Sequence, residues 1–230
     1  MSGDKIEISA WLKNSFVDFP GTVSAVLFFG GCNLRCPWCH NPQIVKKQLP
    51  PVPLDEILAF LNKRKGLIDG VVLSGGEPTL HTHLKSVVET IRNMNLKVKL
   101  DTNGLNPSVV KDLNIDYLAL DIKSVPAMYN ELGYSRSDCE ERLMESINRV
   151  RSMGERAEIR VPCASGFIDN KIADEIGRLI CGVNKVFLQR INYTVEFLDD
   201  SFKDTIPITD GQMKDFKAIF AKYVGSCEIR

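Results

Sequence analysis

The chain has 230 residues, of which 44% are apolar, so it is long enough to form one domain with a continuous hydrophobic core. Its 29 Lys and Arg residues balance 29 Asp and Glu residues, and this zero net charge argues against nucleic acid or a lipid surface as a partner. The apolar runs have the length of strands and fall far short of the roughly 20 residues that span a bilayer, so we expect no membrane role.

Short runs of β-branched and aromatic residues alternate along the chain with amphipathic stretches of helical period. The first of them, residues 6–12, alternates polar and apolar side chains and predicts an added edge strand. Six further strands are predicted at Val23–Phe29, Val71–Ser74, Lys97–Leu100, Tyr117–Leu120, Ala157–Val161 and Lys185–Leu188. Helices are predicted at Leu54–Lys65, His83–Met94, Glu140–Met153, Asn170–Cys181 and Gln212–Tyr223.

This alternation indicates an α/β fold of right-handed βαβ units with a parallel sheet, either open or curved into all or part of a barrel. Six units are too few for a closed eight-stranded barrel. An incomplete barrel would leave a lateral cleft that admits a polypeptide segment. We interpret residues 1–230 as a single domain, with a core over about 17–192 and a C-terminal extension over 193–230.

Polar, glycine-bearing motifs follow four consecutive predicted strands. They are the cysteine loop 31–40, Gly75-Gly76-Glu77-Pro78, Asp101-Thr102-Asn103-Gly104 and Asp121-Ile122-Lys123. Ligands of parallel α/β folds bind beyond the carboxyl ends of the strands. The four motifs are therefore expected to line one site.

Three cysteines of the first motif, Cys32, Cys36 and Cys39, lie within eight residues of sequence. An ordinary electron-transfer cluster closes all four of its irons with cysteine. A run that ends at three thiolates can hold three irons of a four-iron cluster and leave the fourth iron open. The spacing therefore predicts a cluster that accepts an outside ligand.

A zinc site is the alternative interpretation of the same cysteines. His40 could serve as the fourth ligand, but it directly follows Cys39 and would be strained to reach the same ion. His81 and His83 are other possible donors, although they stand at the start of a predicted helix and are better explained as cap or surface residues.

The Gly75-Gly76-Glu77 turn and Trp38 are candidate binding elements. Two adjacent glycines let a ligand approach the backbone closely, and Glu77 adds a carboxylate for a cation. Trp38 offers a ring on which a flat purine can stack. Taken alone, the turn could simply join a strand to a helix, and Trp38 could lie in the core.

Asp101, Asn103 and Asp121 are further candidates, because their oxygens can bind sugar hydroxyls or a cation. Lys123 and Arg160 offer positive charges that can bind a carboxylate. Each could equally be a solvated or paired surface group, and the Asp-Thr-Asn-Gly motif could be only a turn.

The remaining cysteines, Cys139, Cys163, Cys181 and Cys227, are scattered without ligand spacing, and we expect each to be a small buried side chain. An odd number of cysteines, with three in one loop, and the lack of a charged-then-apolar signal segment predict a reducing, cytoplasmic setting.

Together these residues carry a resemblance. Cys-x3-Cys-x2-Cys with an aromatic residue before the last cysteine, followed by Gly-Gly-Glu, resembles the radical S-adenosylmethionine superfamily. The motifs Val17-Asp18-Phe19-Pro20-Gly21 and Cys39-His40-Asn41-Pro42, with those that begin at Asp101 and Asp121, resemble activating enzymes of glycyl radical proteins. The most similar type is the longer anaerobic ribonucleoside-triphosphate reductase activating protein, and pyruvate formate-lyase activating enzymes are near relatives. The resemblance runs from about Trp11 to about Arg190.

The resemblance implies a partial (βα)6 TIM-like barrel of parallel strands with an open lateral cleft. It implies a 4Fe-4S cluster held by Cys32, Cys36 and Cys39, with S-adenosyl-L-methionine chelating the open iron. Other implied positions are Gly76 and Glu77 at the amino group, Trp38 and His40 at the adenine, Asp121 and Lys123 near the ribose, and Arg160 at the carboxylate. Gly75, Asp101, Asn103 and Asp121 are expected in the same site. A monovalent cation near Asp101 and Asp121 is implied by the pyruvate formate-lyase activators.

The implied activity is reductive cleavage of S-adenosylmethionine and formation of a glycyl radical on a partner, an anaerobic ribonucleoside-triphosphate reductase, with flavodoxin or ferredoxin as reductant. The alternatives are a radical enzyme acting on a small molecule or peptide, and a non-catalytic metal-binding module. One departure is the lack of a ribose-binding His after the sixth predicted strand, where Gln189 or Asn192 could substitute. The segment beyond about Thr194 has no assigned role.

Overall fold

The computed structural model describes residues 7–230. The strands are β1 (Ile8–Ser15), β2 (Ser24–Phe29), β3 (Gly70–Gly75), β4 (Lys97–Thr102), β5 (Tyr117–Asp121), β6 (Ala157–Cys163), β7 (Lys185–Arg190) and β8 (Ser226–Ile229). The α-helices are α1 (Pro42–Val45), α2 (Leu54–Lys63), α3 (Leu84–Asn93), α4 (Pro107–Asp112), α5 (Cys139–Met153), α6 (Asn170–Leu179) and α7 (Asp210–Phe220). Short 3₁₀ helices lie at Pro78–Leu80, Pro126–Met128, Gly154–Arg156 and Asp200–Asp204.

The strands follow one another in the sheet in chain order, from β1 to β8, and the sheet is not closed. The edge strand β1 is antiparallel to β2. The pairs β2–β3, β3–β4, β6–β7 and β7–β8 are parallel. The prediction of an α/β fold built on parallel strands is confirmed.

The predicted elements agree with the observed ones to within a few residues. The six predicted strands are β2 to β7, and the segment 6–12 contributes to the edge strand β1, although residue 6 lies outside the described residues. The five predicted helices are α2, α3, α5, α6 and α7. The helices α1 and α4, of four and six residues, were not predicted because they are too short to show a helical period. The strand β8 was not predicted because only one of its four residues is buried.

The described chain divides into two compact units. The first comprises the described residues up to 32, residues 43–102 and residues 108–118. The second comprises residues 33–42, 103–107 and 119–230. The single domain over 1–230, with its core and C-terminal extension, stays a prediction.

The first unit has a core in which strand and loop residues meet. Val26 of β2 and Val72 of β3 are buried together with Phe19 and Tyr117, and Phe28 packs against them. The rings of Phe19 and Tyr117 lie 6.1 Å apart. Parallel strands that are buried on both faces consist mainly of apolar residues, as β2 and β3 do. The two strands pair in register up to their carboxyl ends.

The helices of the second unit begin at recognisable caps. The Asp169 side chain accepts a hydrogen bond from the backbone of Ile172 at the start of α6. Thr209 and Gln212 form a capping box at the start of α7. These caps satisfy backbone N–H groups that a helix leaves without partners. No helix within residues 7–230 combines the length and the apolar character needed to cross a bilayer.

Candidate functional site

The glycine turn after β3 lies against the end of β2 in the first unit. Gly75 has a φ of 118°, in the region that favours glycine. The Gly76 N–H donates to the Phe29 carbonyl and the Glu77 N–H donates to the Gly31 carbonyl, both at 2.9 Å. A Cβ atom on Gly76 would lie 1.9 Å from the Gly31 oxygen, so this position requires glycine.

The same turn lies next to the first cysteine. A Cβ atom built on Gly76 would be 3.4 Å from the Cβ atom of Cys32. The structure therefore brings Cys32 and the Gly75–Glu77 turn together within the first unit, as the positions of the two motifs at neighbouring strand ends predicted.

The Glu77 carboxylate is buried, with 1% of the residue exposed. Its Oε1 atom accepts hydrogen bonds from the Thr79 hydroxyl at 2.5 Å, the Thr79 N–H at 3.1 Å and the Thr102 hydroxyl at 2.7 Å. These donors fix the orientation of a negative charge beside the glycine turn. Such an oriented carboxylate suits a ligand ammonium group.

Asp101, at the end of β4, is also held by its neighbours in the first unit. Lys99 Nζ lies 2.5 Å from Asp101 Oδ1, and the Ser74 hydroxyl donates to Oδ2 at 3.2 Å. Lys99 is buried, with 2% of its side chain exposed. Because Lys99 supplies a positive charge to this carboxylate, a monovalent cation is not needed to neutralise it.

In the second unit, Asp121 lies between two cations. Arg160 Nε is 2.6 Å from Asp121 Oδ1, and Lys123 Nζ is 2.9 Å from Oδ2. Burial by itself raises the pKa of Asp121, but the charges and hydrogen bonds of Arg160 and Lys123 prevail and lower it to about 2. Three predicted site residues thus form one ionised network, in which Asp121 is the last residue of β5 and Arg160 comes from the middle of β6.

The charge of Lys123 is reinforced by its surroundings. Burial disfavours the ammonium form, but the negative charges of Asp121 and Cys36 raise the pKa of Lys123 above its ordinary value. Its backbone N–H donates to the Tyr129 hydroxyl at 3.0 Å, which fixes the chain at this position. Lys123 therefore remains a cation close to the cysteine loop.

Asn103 has a positioning role within the second unit. Its side-chain amide donates to Asn33 Oδ1 at 2.7 Å, and its Oδ1 accepts from the Leu105 N–H at 3.1 Å. The residue is 5% exposed. Asn103 thus ties the turn after β4 to the residue that follows Cys32.

The second half of the cysteine loop is also ordered. The Cys39 N–H donates to the Cys36 carbonyl at 3.0 Å, and the Arg35 N–H donates to the Leu132 carbonyl at 2.6 Å. Trp38 is 4% exposed. Its ring lies 4.6 Å from that of Phe167, so the candidate purine platform is itself packed among aromatic rings.

His40 lies directly after the third cysteine and stacks on Phe197 with ring centres 5.6 Å apart. Burial lowers the pKa of His40, and the nearby charge of Lys123 lowers it further. His40 is therefore a neutral ring near pH 7, which suits contact with an uncharged aromatic ligand. His81 bonds the Gly30 carbonyl at 3.0 Å, whereas His83 is exposed at the start of α3.

The donor set fits an iron–sulfur cluster by its chemistry. Cys32, Cys36 and Cys39 form no disulfide, and thiolates are the usual ligands of such clusters. Within residues 7–230, no group of three or more His, Cys, Asp or Glu side chains is arranged to hold a metal ion. The case for the cluster therefore depends on the identity and sequence spacing of the three thiols.

The other four cysteines divide into two groups. Cys139, Cys163 and Cys227 are buried, as predicted, and burial raises the pKa of their thiols to about 11, 12 and 11. Cys181 is exposed, so the prediction that it is buried is wrong. It follows α6, which ends at Leu179, two residues before the predicted end.

Several residues that shape the site were not singled out from the sequence. They are Thr79 and Thr102 at the Glu77 carboxylate, Lys99 at Asp101, and Tyr129 at the Lys123 backbone. Thr102 and Lys99 flank Asp101 on β4, and the alternation of a strand places residues 99 and 101 on one face. That spacing was the available signal for the Lys99–Asp101 pair.

Comparison with known proteins agrees with these motifs. The family model of the Radical SAM superfamily matches residues 26–177. A protein of Methanocaldococcus jannaschii, provisionally named a glycyl-radical enzyme activating enzyme, is 29% identical over 237 residues, which cover 98% of this chain and 96% of the relative. A 7-carboxy-7-deazaguanine synthase of Hyperthermus butylicus is 35% identical over 96 residues, 41% of this chain and 40% of that enzyme.

A solved structure shows the same fold. SuiB of Streptococcus suis, crystallised with S-adenosylmethionine, superimposes with a TM-score of 0.64 at 13% identity, over 89% of this chain. This chain spans about half of SuiB, 51% of its length. At this identity the likeness concerns the fold alone, and it confirms the predicted fold class.

Proposed function

Because the chain belongs to the radical SAM superfamily, whose family model matches residues 26–177, we propose that it is an activating enzyme that generates a glycyl radical on a partner enzyme. The observation that carries this proposal is the Methanocaldococcus jannaschii relative, which is named for that activity and aligns with 98% of this chain and 96% of its own length.

Membership in the superfamily gives the cofactors, a 4Fe-4S cluster and S-adenosyl-L-methionine. When bound, they supply a one-electron cleavage of the sulfonium that yields methionine and a 5′-deoxyadenosyl radical, which can take a hydrogen atom from a glycine Cα. The protein contributes binding, orientation and exclusion of water. We assign the three iron ligands to Cys32, Cys36 and Cys39.

The remaining assignments follow the charges of the site. The Gly75–Glu77 turn offers backbone groups and the buried Glu77 carboxylate to the amino group of S-adenosylmethionine. Arg160 and Lys123 offer positive charges to its carboxylate and ribose, and both cations lie at the Asp121 carboxylate. We assign the adenine to the surroundings of Trp38 and His40.

We propose an anaerobic ribonucleoside-triphosphate reductase as the partner and a flavodoxin or ferredoxin as the electron donor. The support is the set of motifs shared with activating proteins of that type, from Val17-Asp18-Phe19-Pro20-Gly21 to Asp121-Ile122-Lys123. None of the seven cysteines forms a disulfide, which agrees with a reducing, cytoplasmic setting.

The experiment is electron paramagnetic resonance on a candidate reductase. The reconstituted enzyme, S-adenosylmethionine, a reductant and the reductase are mixed without oxygen, and a glycyl radical signal is expected on the reductase. A matched sample with the Cys36→Ala variant should give none. Cleavage of S-adenosylmethionine without any glycyl radical on the reductase would contradict this partner.

A second candidate function is radical chemistry on a small molecule. It is favoured by the local match of 35% identity over 96 residues to 7-carboxy-7-deazaguanine synthase. Deuterium in the true substrate should appear in 5′-deoxyadenosine, so deuterated glycine in the reductase and a deuterated small molecule separate the two functions. A non-catalytic metal-binding module is disfavoured by membership in an enzyme superfamily.

A further inference from the structure

Residues 193–205, which follow β7, form a compact aromatic segment in the second unit. We call them the aromatic strap. Phe197 and Phe202 are 3% and 4% exposed, and their ring centres lie 5.3 Å apart. Tyr193 packs on both, at 5.5 Å and 5.8 Å. The Tyr193 and Thr205 hydroxyls lie 3.1 Å apart, so the two ends of the strap are joined.

The strap is bonded to the backbone of the cysteine loop. The Leu198 N–H donates to the Cys39 carbonyl at 3.1 Å, and the Asp199 N–H donates to the Pro37 carbonyl at 3.2 Å. These two acceptors flank Trp38. The backbone around the third cysteine is therefore fixed by a segment more than 150 residues further along the chain.

The strap also contacts the side chains on either side of Cys39. The Phe202 ring lies 5.9 Å from that of Trp38, and the Phe197 ring stacks on His40 with centres 5.6 Å apart. Both neighbours of this cysteine thus pack against the strap. Ring pairs of this kind stabilise a fold beyond the burial of their area.

These contacts bear on metal retention. An eight-residue loop with three thiols has many conformations, and iron binding must select one of them. A segment that already holds the loop reduces this cost, as groups around metal ligands generally do. A loop held on both sides of one ligand also opens less often, and opening exposes bound iron to competing chelators.

We propose that the aromatic strap is a positioning element for the cluster: it holds the Cys36–Cys39 part of the loop in the conformation that retains iron. The role belongs to the strap as a unit, through two backbone hydrogen bonds and two ring contacts. It concerns retention of the cluster and is independent of which substrate the radical attacks.

The test is the rate at which the reconstituted protein gives up iron to ferrozine in anaerobic buffer. We expect Phe197→Leu to release iron about tenfold faster than wild type, in line with the effect of partners around other metal ligands. The matched control is Phe220→Leu, the same change at a buried ring in α7. Its release rate should stay within about twofold of wild type, because the change weakens packing at α7 and leaves the contacts between the strap and the loop in place.

Tyr193 provides a second variant that does not depend on a fully buried ring. Tyr193→Ala should accelerate iron release, whereas Tyr193→Phe, which keeps the ring, should restore most of the wild-type rate. If Phe197→Leu fails to fold, the comparison of Tyr193→Ala with Tyr193→Phe tests the proposal instead. Wild-type rates of iron release in both Phe197→Leu and Tyr193→Ala would overturn the proposal. A Phe220→Leu variant that releases iron as fast as these two variants would also overturn it.

Discussion

The Arg160 guanidinium donates through Nε to Asp121 Oδ1 at 2.6 Å, a bond from the middle of β6 to the last residue of β5. Lys123 Nζ donates to the other carboxylate oxygen at 2.9 Å, so the negative charge of Asp121 fixes the positions of two cationic side chains. The carboxylate side chain is only 19% exposed, and its attractions are screened little by water. The Asp121 network should therefore contribute measurably to the free energy of unfolding.

The first prediction concerns acid stability. The pKa of Asp121 falls from 3.8 in the unfolded chain to about 2 in the fold, so its ionised form stabilises the native state at neutral pH by about 2 kcal/mol. That contribution is complete above pH 4 and is lost as the pH falls towards 2. In urea unfolding, Asp121→Asn should be less stable than wild type at pH 7, and the difference should shrink below pH 4. A difference that is constant with pH would contradict this.

The second prediction concerns cofactor affinity. Lys123→Ala should weaken S-adenosylmethionine binding about tenfold, the effect of one lost charge-assisted hydrogen bond. The cluster should remain, because Asp121 keeps its bond to Arg160. Isothermal titration of the reconstituted protein measures the affinity. Lys171→Ala, at an 85% exposed side chain of α6, is the control and should bind as wild type does. Unchanged affinity in Lys123→Ala would remove this lysine from the site.

The third prediction concerns the glycine turn. Gly76→Ala places a Cβ atom 1.9 Å from the Gly31 oxygen, so the backbone must shift, at a cost of about 1–3 kcal/mol in unfolding free energy. Gly211→Ala is the matched control. A Cβ atom there meets only the Thr209 hydroxyl at 3.8 Å, and alanine favours the helix by up to about 1 kcal/mol. Equal stability of the two variants would show that the turn adapts without cost.

The fourth prediction concerns the metal. Loss of a group around a metal ligand commonly costs about 10–100-fold in affinity, so loss of a ligand itself in Cys36→Ala should cost at least as much. Iron and sulfide analysis after anaerobic reconstitution measures this, with the brown absorption as a second readout. Cys181→Ala, at an exposed thiol without ligand spacing, should retain the wild-type content. A full cluster in Cys36→Ala would exclude this residue as a ligand.

Sequence periodicity located the long elements and the ends of strands at which the motifs lie. Val23–Phe29 became β2 and Asn170–Cys181 became α6, because runs of this length show a clear period. The short β8 was not found, since four residues with one buried side chain carry no pattern. The alternating segment at the amino end was recognised as an edge strand, which β1 confirms for the described residues.

The partners within the site were harder to predict than its members. Asp121 and Lys123 are two residues apart, but the pairing of Asp121 with Arg160 joins positions 39 residues apart, and only the folded chain brings them together. The same holds for Glu77 and Thr102, which are 25 residues apart. The sequence motifs predicted which charged residues belong to the site. Which of these residues form ion pairs depends on the tertiary structure.

The exposure of Cys181 offers an attachment point for physical measurements. In the iron-loaded protein the loop thiols are engaged, and the remaining thiols other than Cys181 are buried and protonated at neutral pH. A maleimide spin label should therefore react at this single position without mutagenesis. Dipolar distances from that label to a glycyl radical on the proposed partner would then locate that partner on the surface.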